Sequence, residues 1–178
     1  MAGASREGRI VLMGVAGCGK SSVGVALARR LGAVYLDGDD LHPPENIAKM
    51  SRGEPLTDED RWPWLTLVGR KLATLEGIRI IGCSALKRRY RDLIRTEAAG
   101  PVVFVHLSGS KALIAGRMGA RAGHFMPTSL IDSQFAALEP PGPDEGAITV
   151  DIGQPLEDVV GDIVAQLEET SAWTTGSR

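Results

Sequence analysis

Gly14-Val15-Ala16-Gly17-Cys18-Gly19-Lys20-Ser21 is the stretch of sequence that decides the fold of this chain. It has the form G-x-x-x-x-G-K-S, which is the phosphate-binding P-loop. Its glycines let backbone amides turn inward and form a nest for anions. A helix that follows the loop would direct the positive end of its dipole at the same phosphates. Within the motif, Lys20 can reach the β- and γ-phosphate oxygens, and Ser21 can ligate Mg²⁺.

The segments around this loop alternate between strand-length and helix-length patterns. Arg9–Met13 is a candidate buried strand before the loop, and Lys20–Leu31 has the apolar spacing of a helix after it. Further strands are predicted at Ala33–Leu36, Ile78–Gly82, Val102–Leu107 and Ile148–Ile152, with helices at Asp58–Leu75, Leu86–Ala98, Lys111–Arg121, Pro127–Leu138 and Pro155–Glu169. This alternation predicts an α/β fold, a parallel sheet with helices on both faces. Because such sheets bind ligands at the carboxyl ends of their strands, functional residues are expected just after each strand.

Length, charge and cysteine content exclude several classes of protein. The 178 residues fit one domain over residues 1–170 with a small lid, followed by a flexible tail at residues 171–178. A formal net charge of −2 excludes a nucleic-acid binder that works through global charge, and also an acidic disordered chain. The longest apolar runs are strand-sized, so no membrane span is expected. With no visible secretory signal and only two cysteines, a cytoplasmic location is expected.

The P-loop alone leaves the reaction open among small-molecule kinases, regulatory GTPases and motor-type ATPases. A GTPase needs an N-K-x-D motif, and the one asparagine of the chain, Asn46, is not in that setting. A motor-type ATPase normally has an acid at the end of its third strand, where this chain has Ile80-Ile81-Gly82-Cys83-Ser84. The catalytic acid must therefore come from another part of the chain.

The second predicted strand ends in the acidic segment Asp37-Gly38-Asp39-Asp40. A carboxylate here can orient or deprotonate an attacking hydroxyl and can help to hold Mg²⁺. The spacing of two places Asp37 and Asp39 on the same side of an extended segment, with Asp40 facing elsewhere. We interpret Asp39 as the catalytic candidate and Asp37 as structural. The alternative is an ordinary Asp-Gly turn.

Basic residues after the third and fourth strands are candidates for binding anions. Lys87 lies nearest the end of the third strand and can face a substrate carboxylate, whereas most of the basic run 87–91 is interpreted as a solvated face. Arg117 and Arg121 are four residues apart on one predicted helix face, with glycines nearby. Such a segment can close over a phosphate as a lid. The alternative is a pair of surface arginines beside glycine turns.

The histidines and tryptophans divide by their surroundings. His42 and His124 lie in polar segments bordered by glycine or proline, so they are the functional candidates. His106 lies within a predicted strand and is expected to be structural. Trp62 and Trp64 are interpreted mainly as packing residues that can also form walls of an acceptor pocket.

On these residues the chain resembles the bacterial-type gluconokinases, small P-loop kinases related to shikimate and nucleoside monophosphate kinases. The resemblance extends over about residues 9–168. Besides Met13 and the P-loop, the matching blocks are Leu36–Asp39 with Leu41–Pro43 and Asn46, Gly53–Leu56, Asp58, Asp60–Arg61, Pro63–Leu65, Cys83–Lys87, Tyr90–Asp92, Arg117, Arg121, Gly123–Phe125, Ser133–Phe135, Leu138–Pro140, Asp151–Ile152 and Gln154–Glu157. A shikimate kinase would have a glycine triplet after the third strand, where this chain has Gly82-Cys83-Ser84. The variable Asp40 and the stretch Pro140–Gly146 depart from the pattern and are expected not to touch the motif residues.

The resemblance implies a three-layer P-loop kinase fold with sheet order 2-3-1-4-5, a helical lid at about residues 117–138, and a homodimer. It implies transfer of phosphate from ATP to the 6-hydroxyl of gluconate with Mg²⁺. The site residues that it implies comprise four groups. They are Lys20, Asp39 and Arg121 for catalysis; Gly14–Ser21, Ser22, Arg117, Arg121, Gln154 and Pro155 for ATP; Asp39, His42, Arg61, Lys87 and His124 for gluconate; and Ser21 and Asp39 for the metal. Two alternatives remain open: a kinase for another polyhydroxy or shikimate-like acid, and a nucleotide-binding switch without phosphate transfer.

Overall fold

The computed structural model describes residues 6–74, 76–120 and 128–170, and a five-stranded parallel sheet is at its centre. The strands are β1 (Gly8–Met13), β2 (Val34–Asp37), β3 (Ile78–Gly82), β4 (Val103–Ser108) and β5 (Ile148–Asp151). Their order in the sheet is β2-β3-β1-β4-β5, and each neighbouring pair is parallel. The predicted α/β fold and its sheet order are therefore confirmed.

The α-helices connect these strands and cover the sheet. They are α1 (Lys20–Leu31), α2 (Pro44–Ser51), α3 (Asp58–Thr74), α4 (Arg88–Glu97), α5 (Lys111–Ala120), α6 (Thr128–Ala137) and α7 (Leu156–Glu168), and short 3₁₀ turns occur at Gly38–Leu41 and Pro143–Glu145. Within the part of the chain that the structure describes, no helix combines the length and the apolar character needed to cross a membrane.

Two cores lie on opposite faces of the sheet because successive side chains of a strand point to opposite sides. On one face, Ile10 and Leu12 of β1 pack in a cluster with residues of α1, α5, α6 and α7. On the other face, Val11 and Met13 pack in a cluster with residues of α3 and α4. All four side chains are fully buried. The central strand that carries the P-loop is therefore held rigidly from both sides.

The register of the sheet brings the ends of three strands into one row. Leu12 of β1 is opposite Gly82 of β3, and Gly82 is opposite Asp37 of β2. Neighbouring strands lie about 4.8 Å apart, so the segments that follow these residues start within about 10 Å of one another. The P-loop, the loop after β3 and the acidic turn after β2 consequently share one edge of the sheet.

The helix α4 begins at Arg88, two residues later than predicted, whereas the bounds of the other predicted elements agree within one residue among the described positions. The cause is the backbone of Ala85, which has a φ of 43° in the left-handed region. Lys87 is then extended, with φ −104° and ψ 145°, and caps the helix. The short α2, which the sequence pattern did not predict, begins at Pro44 with proline in its first turn.

Candidate active site

The P-loop forms the turn between β1 and α1. Gly17 and Gly19 have φ of 83° and 95°, a region that side chains other than glycine rarely adopt. Gly19 is the N-cap residue of α1 and provides no side-chain hydrogen bond, so the first amides of the helix are available to an anion. The Nζ of Lys20 donates to the carbonyls of Gly14 at 3.0 Å and Val15 at 3.2 Å. The loop therefore combines available amides at the start of α1 with an ammonium group, as phosphate binding requires.

A residue of α6 is attached to the same loop. The backbone amide of Ala16 donates to Oε1 of Gln134 at 3.0 Å. This contact joins positions 118 residues apart in sequence and connects the predicted lid segment with the P-loop. Gln134 lies within a sequence block of the family resemblance, but the pattern predicts no role for this residue.

A cleft of about 410 Å³ opens beside the P-loop between α1, α5 and α7. Its lining is Gly17, Cys18, Gly19, Ser22, Val23, Arg117, Ile152, Gln154, Leu156 and Val159. Arg117 is fixed by a hydrogen bond of 2.5 Å from Nη2 to the carbonyl of Ile152. Pro155 is the N-cap residue of α7, and its neighbour Leu156 lines the cleft. Arg121 and His124, both predicted to be site residues, lie outside the described residues, so their roles stay predictions.

The acidic segment after β2 is a turn, so the prediction of an extended segment is wrong. Residues Gly38–Leu41 form a 3₁₀ turn, and Oδ1 of Asp37 accepts a hydrogen bond of 2.9 Å from the amide of Asp39. Aspartate side chains compete with extended backbone in this way. Gly38 also packs so closely on the carbonyl oxygen of Gly82 that a Cβ atom would overlap it. Asp37 therefore stabilises the turn, whereas the side chain of Asp39 is 79% exposed.

The pKa of Asp39 is raised above its ordinary value of 3.8. Desolvation by the surrounding protein is the largest cause, followed by repulsion from the Asp37 carboxylate, while His42 and Lys20 act in the opposite direction. Because most of the side chain is exposed, solvent screens these interactions. The carboxylate is thus a somewhat stronger base than an isolated aspartate, at the same edge of the sheet as the P-loop.

His42 is buried beside Asp39 and has a defined tautomer. Its ring stacks on Trp64 with centroids 4.0 Å apart and an interplanar angle of 18°. The Nδ2 of Asn46 lies 3.2 Å from Nδ1 of His42 and 2.9 Å from the carbonyl oxygen of Asp60. Because a carbonyl only accepts, the amide nitrogen must occupy that position and Nδ1 of His42 must accept as well. The ring proton is therefore on Nε2, which lies 3.9 Å from Oδ1 of Asp39.

The pKa of His42 is lowered, mainly by burial, although the nearby Asp39 carboxylate partly opposes this effect. A neutral ring is consistent with the accepting Nδ1, because a protonated imidazole would have donors on both nitrogens. His42 therefore presents an N–H group toward Asp39 at neutral pH. The prediction that this histidine lies in a polar loop is only half right, since the residue follows the 3₁₀ turn but is buried.

Two of the predicted substrate residues meet around a carboxylate that was not predicted. Arg61 Nη1 and Lys87 Nζ each lie 3.7 Å from Oδ1 of Asp58, and Arg89 forms an ion pair with its Oδ2. The hydroxyl of Tyr90 donates to Oδ1 of the same carboxylate. This hydrogen bond is the largest cause of the lowered pKa of Asp58, and the three cations add to it. We call these five residues the cation cluster; its three cations exceed its single ionised acid.

Hydrogen bonds connect the cation cluster with the acidic turn. The indole Nε1 of Trp64, which lies on α3 with Asp58, donates to the carbonyl of Gly38 at 2.8 Å. Asn46 joins the carbonyl of Asp60 to His42, as described above. The start of α3 is therefore fixed relative to the turn that carries Asp39, and the excess positive charge lies beside this turn.

The residues that sequence reasoning missed fall into two kinds. Asp58, Tyr90 and Gln134 stand within the blocks of the resemblance, so their positions are visible in the sequence but their roles are not. Asp58 also resembles an ordinary acid in the first turn of a helix. Arg89 belongs to the run interpreted as a solvated basic face, and its pairing partner lies 31 positions earlier in the chain.

Two further expectations about the basic run and its surroundings are wrong. Arg91 is not solvated but fully buried, in an ion pair with Glu145. Glu145 belongs to the stretch Pro140–Gly146, which was expected not to touch the motif residues. The reason is that the 3₁₀ turn Pro143–Glu145 folds back over the start of α4 and supplies the acid that a buried guanidinium requires.

A P-loop between a buried strand and a helix, with an acidic turn and a cation cluster at the same sheet edge, defines a P-loop kinase of small molecules. The family model for shikimate kinase matches residues 16–121. Thermoresistant gluconokinase of Escherichia coli (strain K12) is 45% identical over 163 residues, covering 89% of this chain and 93% of the relative. Gluconokinase of Gluconobacter oxydans (strain 621H) is 48% identical over 154 residues, covering 85% of each.

A solved structure supports the same relationship. The crystal structure of a gluconokinase from Sinorhizobium meliloti 1021 has 51% sequence identity and a TM-score of 0.84, and the match covers 91% of this chain and 92% of that one. The chain belongs to the gluconokinase family, within the broader group that the shikimate kinase model describes. The resemblance inferred from the motifs is confirmed.

Proposed function

We propose that this protein transfers the γ-phosphoryl group of ATP to the 6-hydroxyl of gluconate, giving 6-phosphogluconate and ADP. The observation that carries the proposal is the cation cluster beside the acidic turn. Arg61, Lys87 and Arg89 together outweigh Asp58 in charge, so the cluster favours an acceptor with a carboxylate over a neutral sugar. The membership of the chain in the gluconokinase family supports gluconate as that acid.

The cluster and the P-loop suit the two ends of such an acceptor. Arg61 and Lys87 hold the gluconate carboxylate, and the Arg61 guanidinium can bind both of its oxygens. Asp39 feels the charge of Lys20 and the adjacent His42 feels that of Arg61, so we place these two residues at the far end of the polyol chain. His124, the remaining predicted substrate residue, is proposed for the same pocket on the resemblance alone.

Asp39 accepts the proton of the attacking 6-hydroxyl in this proposal. Its raised pKa suits a general base, and the N–H of His42, at 3.9 Å, favours the ionised carboxylate before reaction. Lys20 and Arg121 neutralise the charge that develops on the transferred phosphoryl group. Most of the rate enhancement then comes from positioning the hydroxyl in line with the phosphate.

The nucleotide is proposed to occupy the P-loop and the adjoining cleft. The P-loop residues Gly14–Ser21 and Ser22 surround the phosphates, which the free amides at the start of α1 bind, and Arg117 reaches them from the opposite wall. Gln154 and Pro155 border the adenine at the far end of the cleft, where Ile152, Leu156 and Val159 supply the apolar surface for a base. The segment 117–138, which includes Gln134, is proposed as the lid over this site.

The oxygen donors at the P-loop fit Mg²⁺. The carboxylate of Asp39 is exposed and therefore open to an ion. With the hydroxyl of Ser21, it offers the few oxygens that Mg²⁺ takes from protein when phosphates supply others. We propose Ser21 and Asp39 as the residues that hold the ion. When bound, Mg²⁺ neutralises charge on the phosphates.

A homodimer and a cytoplasmic location complete the proposal. The support for the homodimer is the family resemblance, and light scattering during size-exclusion chromatography tests it. Both cysteines, Cys18 and Cys83, are free and buried, which suits a reducing compartment. Burial raises the pKa of the Cys83 thiol to about 12, so this thiol is unreactive at neutral pH.

A coupled assay of ADP release over a panel of acceptors tests the proposed function. The panel contains gluconate, other sugar acids, shikimate and a neutral sugar of the same length. We expect turnover with gluconate and little or none with the neutral sugar. Turnover restricted to another acid would replace the substrate. Tight ATP binding without transfer to any acceptor would favour a nucleotide-binding switch.

A further inference from the structure

The loop between β3 and α4 has a strained backbone at a functional position. Ala85 is one of two residues other than glycine with positive φ among the described residues, at 43°. This conformation is unfavourable for alanine and persists only where the surroundings impose it. Two residues later, Lys87 caps α4 and enters the cation cluster. The strained turn therefore determines the position of Lys87 at the start of α4.

The two sides of this loop are fixed by different partners. On one side, the carbonyl of Ser84 accepts a hydrogen bond of 3.1 Å from the amide of Gly14, the first residue of the P-loop. On the other side, Nη1 of Arg91 donates to the carbonyls of Ala85 at 2.9 Å and Leu86 at 3.2 Å. The loop is thus held between the phosphate site and a buried guanidinium.

The guanidinium of Arg91 is itself held by Glu145. Both side chains are essentially inaccessible, at 0% and 1% exposure. The pair is bidentate, with Nε to Oε1 at 2.8 Å and Nη2 to Oε2 at 3.0 Å. Glu145 also accepts from Arg95 Nη2 and from the amide of Gly142, each at 2.9 Å. All three donor groups of Arg91 are therefore committed, two to the acid and one to the loop.

Stability alone is a weak explanation for this arrangement. A buried ion pair contributes little net stability compared with apolar residues of similar volume, because both charges lose their hydration. A guanidinium fork, in contrast, fixes direction, since its donors lie in one plane. Here the guanidinium of Arg91 connects the loop carbonyls with the carboxylate of Glu145, which lies 54 residues further along the chain. The geometry suits a positioning role.

We propose that Arg91 and Glu145 are positioning residues that hold the strained 84–87 loop and so place Lys87 for the acceptor carboxylate. The role of Lys87 toward the acceptor carboxylate rests on the proposed function. The role of Arg91 and Glu145 in holding the loop does not. Neither side chain reaches the acceptor, since both are buried behind the loop. Their effect on catalysis passes through Lys87 and, by way of Ser84, through the edge of the P-loop.

The substitution Glu145→Gln tests the proposal because it keeps the volume and removes the charge. We expect the KM for gluconate to rise by about 10-fold to 100-fold, because misplacing a substrate contact weakens binding. The KM for ATP should change by less than about twofold. The matched control is Asp144→Asn. It breaks the exposed bidentate pair with Arg88, which joins the same two segments, and leaves the loop carbonyls untouched. The control should leave both constants unchanged.

A second variant distinguishes misplacement of Lys87 from a general loss of fold stability. Arg91→Lys keeps the charge opposite Glu145 but loses the fork that bonds two carbonyls, so it should give the same selective rise in the KM for gluconate. Thermal melts identify any variant that does not fold. Equal changes in both KM values, or an unchanged KM for gluconate in a folded Glu145→Gln or Arg91→Lys protein, would overturn the proposal.

A crystal structure of the Glu145→Gln protein distinguishes failure of this proposal from failure of the proposed function. If the wild-type protein uses another acid, the comparison of KM values is made with that acid. If it uses none, the structure decides. A displaced Ala85 turn and a Lys87 that has left Asp58 would support the positioning role. An Ala85 φ near 43° with Lys87 still beside Asp58 would contradict it.

Discussion

At the scale of single residues, a chain of hydrogen bonds fixes which ring nitrogen of His42 carries the proton. The backbone carbonyl of Asp60 orients Asn46, and Asn46 fixes the tautomer of His42. His42 in turn faces Asp39 with its N–H group. A carboxylate and an imidazole 3.9 Å apart thus differ in character: the pKa of Asp39 is raised, whereas the pKa of His42 is lowered and its ring presents an N–H group.

The substitution Asp39→Asn should remove the general base while preserving the shape of the turn. We expect kcat to fall by about 10²-fold to 10⁴-fold, the usual contribution of a positioned acid or base. Nucleotide binding, measured by calorimetry, should persist. Asp40→Asn is the matched control, because that side chain is exposed in the same turn. A kcat near that of the wild type would remove Asp39 from the mechanism.

The dependence of the rate on pH follows from the raised pKa of Asp39. The base must be ionised, so kcat/KM should fall as the pH drops through a value above the ordinary 3.8. Burial lowers the pKa of His42 from its ordinary 6.5, so protonation of this ring moves toward the same acid limb. The profile in the acid limb is measured with gluconate well below its KM. An acid limb that persists unchanged in Asp39→Asn would assign it to another group.

Arg61→Ala tests the carboxylate end of the acceptor. The KM for gluconate should rise by about 10-fold or more, because truncating one partner of a charged hydrogen-bonded pair is costly. The KM for ATP should change far less. Arg70→Ala is the control on the same helix, since its partner Glu97 lies away from the site. If the KM for ATP rose instead, Arg61 would belong to the nucleotide side.

At the scale of elements, the position of α1 depends on how closely Tyr35 approaches it. A Cβ atom at Gly24 would overlap the ring of Tyr35, and one at Gly82 would lie 2.5 Å from its hydroxyl. These two glycines let β2 and its tyrosine pack directly against the P-loop helix. They account for part of the high glycine content of the chain, 22 of 178 residues.

Gly24→Ala should therefore destabilise the fold although alanine favours helices. We expect a loss of about 1–3 kcal/mol from overpacking, measured as the free energy of unfolding in urea. Gly161→Ala in α7 is the matched control, because a methyl group added there would point into open space, with no atom of another element within 4 Å. That change should stabilise the protein by about 0.5–1 kcal/mol. A stabilised Gly24→Ala protein would contradict the close packing.

The elements were largely predictable because their signals are local. The P-loop and the apolar runs beside it predicted β1, α1 and β3 within one residue. The start of α4 was not predictable, since it follows the left-handed backbone of Ala85, whose carbonyl accepts a hydrogen bond from a guanidinium six residues later. The acidic turn was missed for a similar reason. The hydrogen bond from the amide of Asp39 to Asp37 competes with an extended backbone, and spacing alone does not reveal which prevails.

At the scale of the whole molecule, charge is distributed locally within a nearly neutral chain. The net charge is −2, yet the acceptor side has an excess of cations around Asp58. Such clusters could not be predicted from composition, because Asp58 pairs with Lys87 and Arg89 from a different helix and loop. The pairing of Arg91 with Glu145 is a more distant example, across 54 positions. Local motifs predicted the P-loop and its flanking elements, but not the contacts around Asp58 or between Arg91 and Glu145.

Glu145 should make the stability of the protein sensitive to acid. Its hydrogen bonds with Arg91 lower its pKa from an ordinary 4.5 to about 2, so its contribution is present above pH 4.5 and is lost as the pH falls toward 2. The Tm of the wild type should therefore fall through this window. The difference in Tm between wild type and Glu145→Gln should shrink there. A difference that is constant with pH would contradict the ionised pair.

The identity of the phosphorylated product tests the central claim most directly. The purified protein is incubated with ATP, Mg²⁺ and gluconate, and the product is examined by phosphorus NMR with proton coupling. We predict one phosphomonoester whose phosphorus couples to the two protons of a primary carbon, as in 6-phosphogluconate, formed in equal amount with ADP. ADP release without a phosphorylated sugar acid, or a phosphate on a secondary carbon, would contradict the account.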